Sequence, residues 1–223
     1  MIKANILFDK TGVALPPDQV VFHIKEFGES YKDTTGEIIR NSRLLDAKGE
    51  VFIKCASHLL ANFGMARSGP FQRNMKGTLQ ECWSVIGSAL LEINYSIIGS
   101  GLSRDRYLLD VDDAERDILL TEIWRLTKEL LPFTMAESTY GLVAASKILF
   151  SVLPEIILPI DNIQWKLLFK TVDLGDAIRF MAKDIKRWET TTNRRLNELD
   201  PTRRLTTLPS VYNVMAMAAR PIN

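Results

Sequence analysis

The chain has 223 residues, of which 46% are hydrophobic and 25% are charged. These are the values of a globular protein, and they exclude an intrinsically disordered chain. Its 28 basic and 27 acidic residues leave a formal net charge of +1. No global field therefore directs the chain to nucleic acid or to an anionic membrane, and binding of either kind needs a local patch.

Cysteines and apolar runs suggest where the chain resides. Cys55 and Cys82 lie far apart without metal-ligand spacing, which is typical of reduced thiols in a cytosolic protein. The first residues lack the apolar stretch of a signal peptide. Charged residues interrupt the longest apolar runs, namely Glu92, Lys147 and Glu155. We expect no membrane span and a cytoplasmic location. We also expect no metal and no cofactor, since the two histidines offer few zinc ligands.

The N-terminal half predicts helices joined by polar connections. The first 14 residues are ambiguous between a short edge strand and an irregular cover of the core. Pro17 suits the first turn of a helix whose apolar positions recur through Phe27. A polar connection with one short helix at about 38–45 follows, and a second helix covers 51–63.

The next part of the chain contains a break and then a long helix. The segment 64–77, with three glycines and one proline, predicts a surface loop. Thr78 suits the N-cap of the following helix, and the glycines of 99–101 mark its end.

The C-terminal half continues the helical pattern. Asp112 opens the clearest helix, with acidic residues in its first turn and a buried apolar stripe, and Pro132 stops it. Ser138 is expected to cap a further helix, which Pro154 ends.

One further helix follows Asp161, another follows Leu174, and a last one covers about 209–219. The sequence therefore predicts an all-α fold of seven or eight helices. We expect a single helical domain over 1–223, with two closely packed sub-lobes at 1–110 and 111–223 as its internal division.

The stretch LPIDNIQW contains the most informative polar residue of the chain. Asp161 precedes an amphipathic run, and Gln164 lies three residues later. This is the spacing of a capping box, in which the first side chain accepts a backbone N–H and the other side chain reaches back. Pro159 favours an extended approach to the helix. One interpretation is therefore purely structural, and the alternative is that Asp161 faces a cavity as a catalytic base.

The run SKILFSVLPEIILPIDNIQW, residues 146–165, resembles a segment of uncharacterised bacterial helical proteins. More distantly, it is similar to the core of helix-hairpin-helix DNA glycosylases. In that family an aspartate after an apolar helix activates a water or a lysine against the sugar C1′ of an extruded nucleotide. The resemblance implies that Asp161 is the catalytic carboxylate and Lys147 a second catalytic group. It also implies that Gly141 belongs to a hairpin that binds the DNA backbone.

Lys147 has two interpretations of its own. Attack on a sugar carbon requires that burial lower the pKa of its amine. Alternatively, the aliphatic stem of Lys147 covers part of the core while its ammonium group reaches water.

Two basic regions are candidates for nucleic-acid binding. Arg67, Arg73 and Lys76 fall in the segment 64–77, where a flexible basic loop with aromatic residues can grip phosphates and stack on a base. The alternative is an ordinary solvated loop. The second region is the polar side of the helix after position 174, together with the residues that follow that helix in the sequence. Its composition is more typical of a solvated face. Its basic residues are Arg179, Lys183, Lys186, Arg187, Arg194, Arg195, Arg203 and Arg204.

Two classes of function remain open. The first is a DNA-processing protein of the glycosylase-like helical type, which acts on an extruded nucleotide. The alternative is a non-catalytic helical module that binds another protein, a second copy of itself or nucleic acid. The sequence does not decide whether the chain is an enzyme, because function has to be argued from a site.

Overall fold

The computed structural model describes residues 5–28, 44–67, 69–134, 139–162, 164–200 and 207–220. These residues contain eight α-helices and no strand, which confirms the all-α class and the predicted seven or eight helices. The helices are α1 (Pro17–Phe27), α2 (Glu50–Asn62), α3 (Gly69–Gly99), α4 (Tyr107–Asp110), α5 (Asp113–Leu130), α6 (Thr139–Phe150), α7 (Leu174–Thr192) and α8 (Leu208–Ala218). Four short 3-10 turns (Met65–Arg67, Arg104–Arg106, Leu131–Phe133, Leu196–Leu199) and a π-helical turn (Gln164–Phe169) join them.

The N-terminal segment is an irregular cover of the core. Leu7 and Phe8 are buried, and one isolated antiparallel bridge joins Phe8 to Ala14. The amide of Leu15 donates to the carbonyl of Leu7 at 2.9 Å. Of the two expectations for this segment, the structure therefore favours the cover over an edge strand.

Helices α1 and α2 begin and end close to the predicted positions. Pro17 occupies the first turn of α1, where its missing N–H costs nothing. Along α2 the apolar stripe of Phe52, Cys55 and Leu59 is buried. The short helix expected at 38–45 lies mostly outside the described residues.

The prediction of a surface loop over 64–77 is wrong. After the 3-10 turn Met65–Arg67, α3 begins at Gly69 with Pro70 in its first turn. Phe71 is buried against the core. A proline is favourable in a first turn, and burial of an aromatic ring outweighs the weak helix propensity of glycine.

The N-cap predicted at Thr78 is also wrong. Asn74 interrupts α3 with non-helical φ −157° and ψ 74°. Its Oδ1 accepts a hydrogen bond from the amide of Gly77 at 3.0 Å. Asn74 therefore caps the long part of α3, and Thr78 is a buried residue within the helix.

Helix α5 follows the prediction. The Asp112 side chain accepts from the amide of Glu115 at 2.9 Å, which is an N-cap. The predicted stripe of Leu119, Ile123, Leu126 and Leu130 is buried. Ser138, the expected cap of α6, lies outside the described residues.

The buried apolar residues form one cluster to which all eight described helices contribute. Helix α3 packs against α2 and α5, α5 packs against α7, and α1 packs against α8. The contacts of α3 with α5 and of α2 with α6 cross position 110. The division into sub-lobes at that position stays a prediction.

Helix α3 is the central long helix of the fold. Within the described residues it alone is long and apolar enough to cross a membrane by length and composition, a test that the core helix of a globular protein also meets. It carries Cys82, and both Cys82 and Cys55 are buried and form no disulfide bond with a described residue. Burial raises the pKa of Cys82 to about 12, so its thiol stays protonated and unreactive at neutral pH.

Candidate functional site

Asp161 and Gln164 form the reciprocal capping interaction that their spacing predicts. The amide of Gln164 donates to Asp161 Oδ1 at 2.9 Å, and the amide of Asp161 donates to Gln164 Oε1 at 3.0 Å. Gln164 is fully buried, and its Nε2 donates to Oδ1 of Asn213 on α8 at 2.6 Å. The capping box therefore also ties residues 151–161, which we call the crossing segment, to α8.

The helix that begins after Asp161 is a π-helical turn, Gln164–Phe169, and not the expected α-helix. The amide of Lys170 donates to the carbonyl of Trp165, five residues back, at 3.1 Å. Lys170 then adopts a positive φ of 51°, which ends the turn. The wider turn accompanies burial of both Trp165 and Phe169.

The second oxygen of Asp161 also has a partner. Oδ2 forms an ion pair with Arg220 Nη2, just after the end of α8. Asp161 therefore has one oxygen in the cap and the other on a guanidinium. A general base needs a lone pair directed at a substrate, and Asp161 lines none of five cavities of 250 to 460 Å³ on the described surface.

Lys147 is buried in α6, with 6% of the residue exposed. Its Nζ lies 4.4 Å from the centre of the Phe63 ring, which follows the end of α2. Burial lowers the pKa of Lys147 from 10.5 to about 8. This pKa suits a nucleophilic amine, and the position over an aromatic ring equally suits a cation within the core.

Among the described residues no hydrogen bond or ion pair joins Lys147 to Asp161. The neighbouring Ser146 contacts the crossing segment instead, because its Oγ accepts from the amide of Ile160 at 3.2 Å. That hydroxyl also donates to the carbonyl of Val143 at 2.9 Å, so Ser146 holds the segment against α6.

Between the two prolines of the crossing segment lies Glu155, which is 2% exposed at its side chain. Its Oε1 accepts from Arg104 Nε at 2.8 Å, and Arg104 Nη1 donates to Asn94 Oδ1 on α3 at 2.7 Å. Glu155 belongs to no sequence motif that predicts this contact. Its structural role is to anchor the crossing segment to the connection between α3 and α4.

No hydrogen bond or ion pair joins Asp161 to the described residues that are expected to bind DNA. Gly141 is buried in the first turn of α6, where its carbonyl accepts from the hydroxyl of Thr134 at 3.0 Å. Arg67, Arg73 and Lys76 are exposed on the 3-10 turn and on both sides of the α3 kink. Their predicted roles in nucleic-acid binding stay predictions.

A basic cleft of about 320 Å³ lies between α5 and α7. It contains part of the basic helix face noted in the sequence, and also Arg116, which the sequence analysis does not single out. Arg116 is 7% exposed, and its Nε donates to the carbonyl of Leu108 at 2.7 Å. An arginine within an apolar stripe is the signal that identifies such a buried cation.

An apolar groove of about 280 Å³ lies between α3 and α5. Its floor consists of Ile93, Ile97 and Leu119, which are buried. Ile118 stands at its edge with 72% of the residue exposed. This groove was not predicted from the sequence, although Ile118 is an isoleucine on the otherwise charged face of α5.

Comparison with known proteins finds no match. No protein-family model, no curated protein and no solved structure matches the chain. The similarity to helix-hairpin-helix glycosylases therefore stays a prediction from the sequence. The described residues also hold no group of three or more His, Cys, Asp or Glu side chains that could bind a metal ion.

Proposed function

We propose that the protein is a non-catalytic binding module whose groove between α3 and α5 receives an amphipathic helix of a protein partner. The supporting observation is Ile118, exposed over 72% of the residue beside an apolar floor. Burial of such surface is favourable by about 25 cal/mol per Å², and a helix in a groove is a common way to achieve it.

The charges around the groove specify the partner further. Glu92 of α3 and Glu115 of α5 line it, and neither forms an ion pair with a described residue. Glu122 lines it as well and pairs with Arg125. Since the lining contains three carboxylates and no basic residue, a partner helix with Lys or Arg beside its apolar positions is the complementary one.

The groove is tested with fluorescent model peptides of amphipathic helical pattern. A Leu/Lys peptide is expected to bind at least about tenfold more tightly than a matched Leu/Glu peptide, a difference of about 1.4 kcal/mol. Ile118→Asp should abolish this binding, because it places a charge against the apolar floor. Phe22→Asp is the matched control, since Phe22 is 60% exposed on α1, a helix that contributes no residue to the lining of the groove.

Charge reversal provides the stricter test. The double variant Glu92→Lys, Glu115→Lys should prefer the Leu/Glu peptide, because two free carboxylates become ammonium groups. If the wild-type protein and the Ile118→Asp variant bind both peptides equally well, the groove is not a docking site.

DNA processing at Asp161 is the second candidate, and the observation in its favour is the burial of Lys147, which lowers the pKa of its amine to about 8. It is tested by incubating damaged and undamaged duplexes with the protein and with its Asp161→Asn variant. An enzyme should release a base or cut the strand, and the variant should lose this activity by at least about a hundredfold. Equal activity of the two proteins would remove the catalytic role of Asp161.

A further inference from the structure

We propose that the basic cleft between α5 and α7 binds a phosphate monoester dianion. The cleft uses Asp113, Arg116 and Asp117 of α5, whereas the apolar groove uses Glu115, Ile118 and Glu122 of the same helix. The two sites therefore lie on different sides of α5. This site is independent of the proposed protein-binding function.

The charge of the lining matches that of the ligand. Four basic side chains, Arg116, Arg179, Lys183 and Lys186, face two acidic ones, Asp113 and Asp117, which leaves a formal charge of +2. A phosphate monoester carries about −1.5 to −2 at neutral pH. A carboxylate or a single backbone phosphodiester carries only one negative charge, so each complements the cleft less well.

Two lysines supply the hydrogen-bond donors. Lys183 and Lys186 are exposed on α7, one helical turn apart on the same face, and neither forms an ion pair with a described residue. The hydrogen bond and the charge of Arg116 are the largest causes that lower the pKa of Asp113, and the charges of Lys186 and Lys183 lower it further. The two ammonium groups therefore act on the side of the cleft where Asp113 lies.

The two arginines fix the walls of the cleft. Arg116 donates to the carbonyls of Leu108 and Leu109 at 2.7 and 3.1 Å, so its guanidinium is held in place. Arg179 Nε donates to Asp117 Oδ1 at 3.0 Å. The cleft is preformed, and a phosphate would compete with the Asp113 side chain for Arg116 and with the Asp117 side chain for Arg179, which are 91% and 62% exposed.

The size of the cleft distinguishes a phosphate monoester from a nucleic-acid strand. A cavity of about 320 Å³ holds a phosphate with a small attached group. A single strand is instead bound along a groove that tracks its backbone and carries aromatic rings for the bases. The cleft lining contains no aromatic residue.

The test is an NMR titration at low ionic strength with three probes: inorganic phosphate, a 5′-mononucleotide, and a single-stranded oligonucleotide without a terminal phosphate. Inorganic phosphate and the mononucleotide should shift the amide signals of the cleft residues with similar affinity. The double variant Lys183→Gln, Lys186→Gln should weaken both by at least about tenfold. The control variant Lys25→Gln, Lys48→Gln removes two exposed lysines elsewhere and should change affinity by less than about twofold.

Several results would overturn the proposal. Equal weakening in both double variants would show that phosphate responds only to overall charge. Undiminished binding in the cleft variant would place the site elsewhere, and tighter binding of the oligonucleotide would favour a nucleic-acid surface. The Ile118→Asp variant should bind phosphate like the wild type. If the groove proves not to bind peptides, the phosphate test is therefore unaffected.

Discussion

Each of the two side chains expected to act in catalysis has a structural role in the fold. Asp161 caps the turn that begins at Gln164 and pairs with Arg220. Lys147 lies over the Phe63 ring in a buried position. These contacts account for both residues without a substrate, and a buried cation has a measurable consequence for stability.

Replacement of Lys147 by methionine should stabilise the protein at neutral pH. The pKa of Lys147 is lowered from 10.5 to about 8, so the stability that it contributes is present above pH 10.5 and lost as the pH falls through 8. At pH 7 the folded state carries the cost of the buried charge. Lys147→Met removes that cost and should raise the free energy of unfolding in urea by roughly 1 to 3 kcal/mol, after loss of the cation–π contact.

The difference between the two proteins should shrink as the pH rises from 8 to 10.5, because wild-type Lys147 then becomes neutral in the folded state. Lys128→Met is the matched control, since Lys128 lies 5.7 Å from the Trp124 ring centre on the exposed side of α5. A loss of stability in Lys147→Met that does not vary with pH would show that packing of the lysine stem matters more than its charge.

At the scale of helices and turns, periodicity predicts those elements that bury one face. Helices α2, α5 and α7 each bury an apolar stripe against the core, so their positions follow from the sequence. The start of α3 was not predicted, because Gly69 and Pro70 usually break a helix. Local composition cannot show that Phe71 packs into the core and that proline occupies a first turn.

The candidate site shows the same division between local and distant contacts. The cap between Asp161 and Gln164 spans three residues and could be predicted from spacing. Arg220, which pairs with the other oxygen of Asp161, lies 59 residues away in sequence. Glu155 and Arg104 are likewise 51 residues apart. Pairs of this kind depend on how the helices pack, which no spacing rule predicts.

At the scale of the whole molecule, a buried carboxyl group joins the two ends of the described chain to α7. Oδ2 of Asp184 accepts from the amide of Leu7 at 3.2 Å and from the hydroxyl of Tyr212 on α8 at 3.0 Å. Burial raises the pKa of Asp184 to about 6, although both hydrogen bonds and the nearby Arg187 lower it. The contact that fixes the N-terminal segment is therefore sensitive to pH.

Asp184→Asn should change how the stability of the protein depends on pH. Because the pKa is raised from 3.8 to about 6, the contribution of Asp184 is fully present below pH 3.8 and lost as the pH rises through 6. The difference corresponds to about 3 kcal/mol. Asparagine keeps an oxygen acceptor for Leu7 and Tyr212 but cannot ionise. The variant should therefore match the wild type near pH 4 and exceed its free energy of unfolding by up to that amount near pH 8.

Urea unfolding at both pH values measures this difference, with Asp18→Asn as the control for an exposed carboxylate of α1. The control should differ little from the wild type at either pH, because an exposed carboxylate stays solvated in the folded state. A variant Asp184→Asn that is less stable by the same amount at both pH values would contradict this prediction. It would mean that asparagine does not replace the carboxyl group in its hydrogen bonds to Leu7 and Tyr212, and that ionisation of Asp184 does not determine the stability.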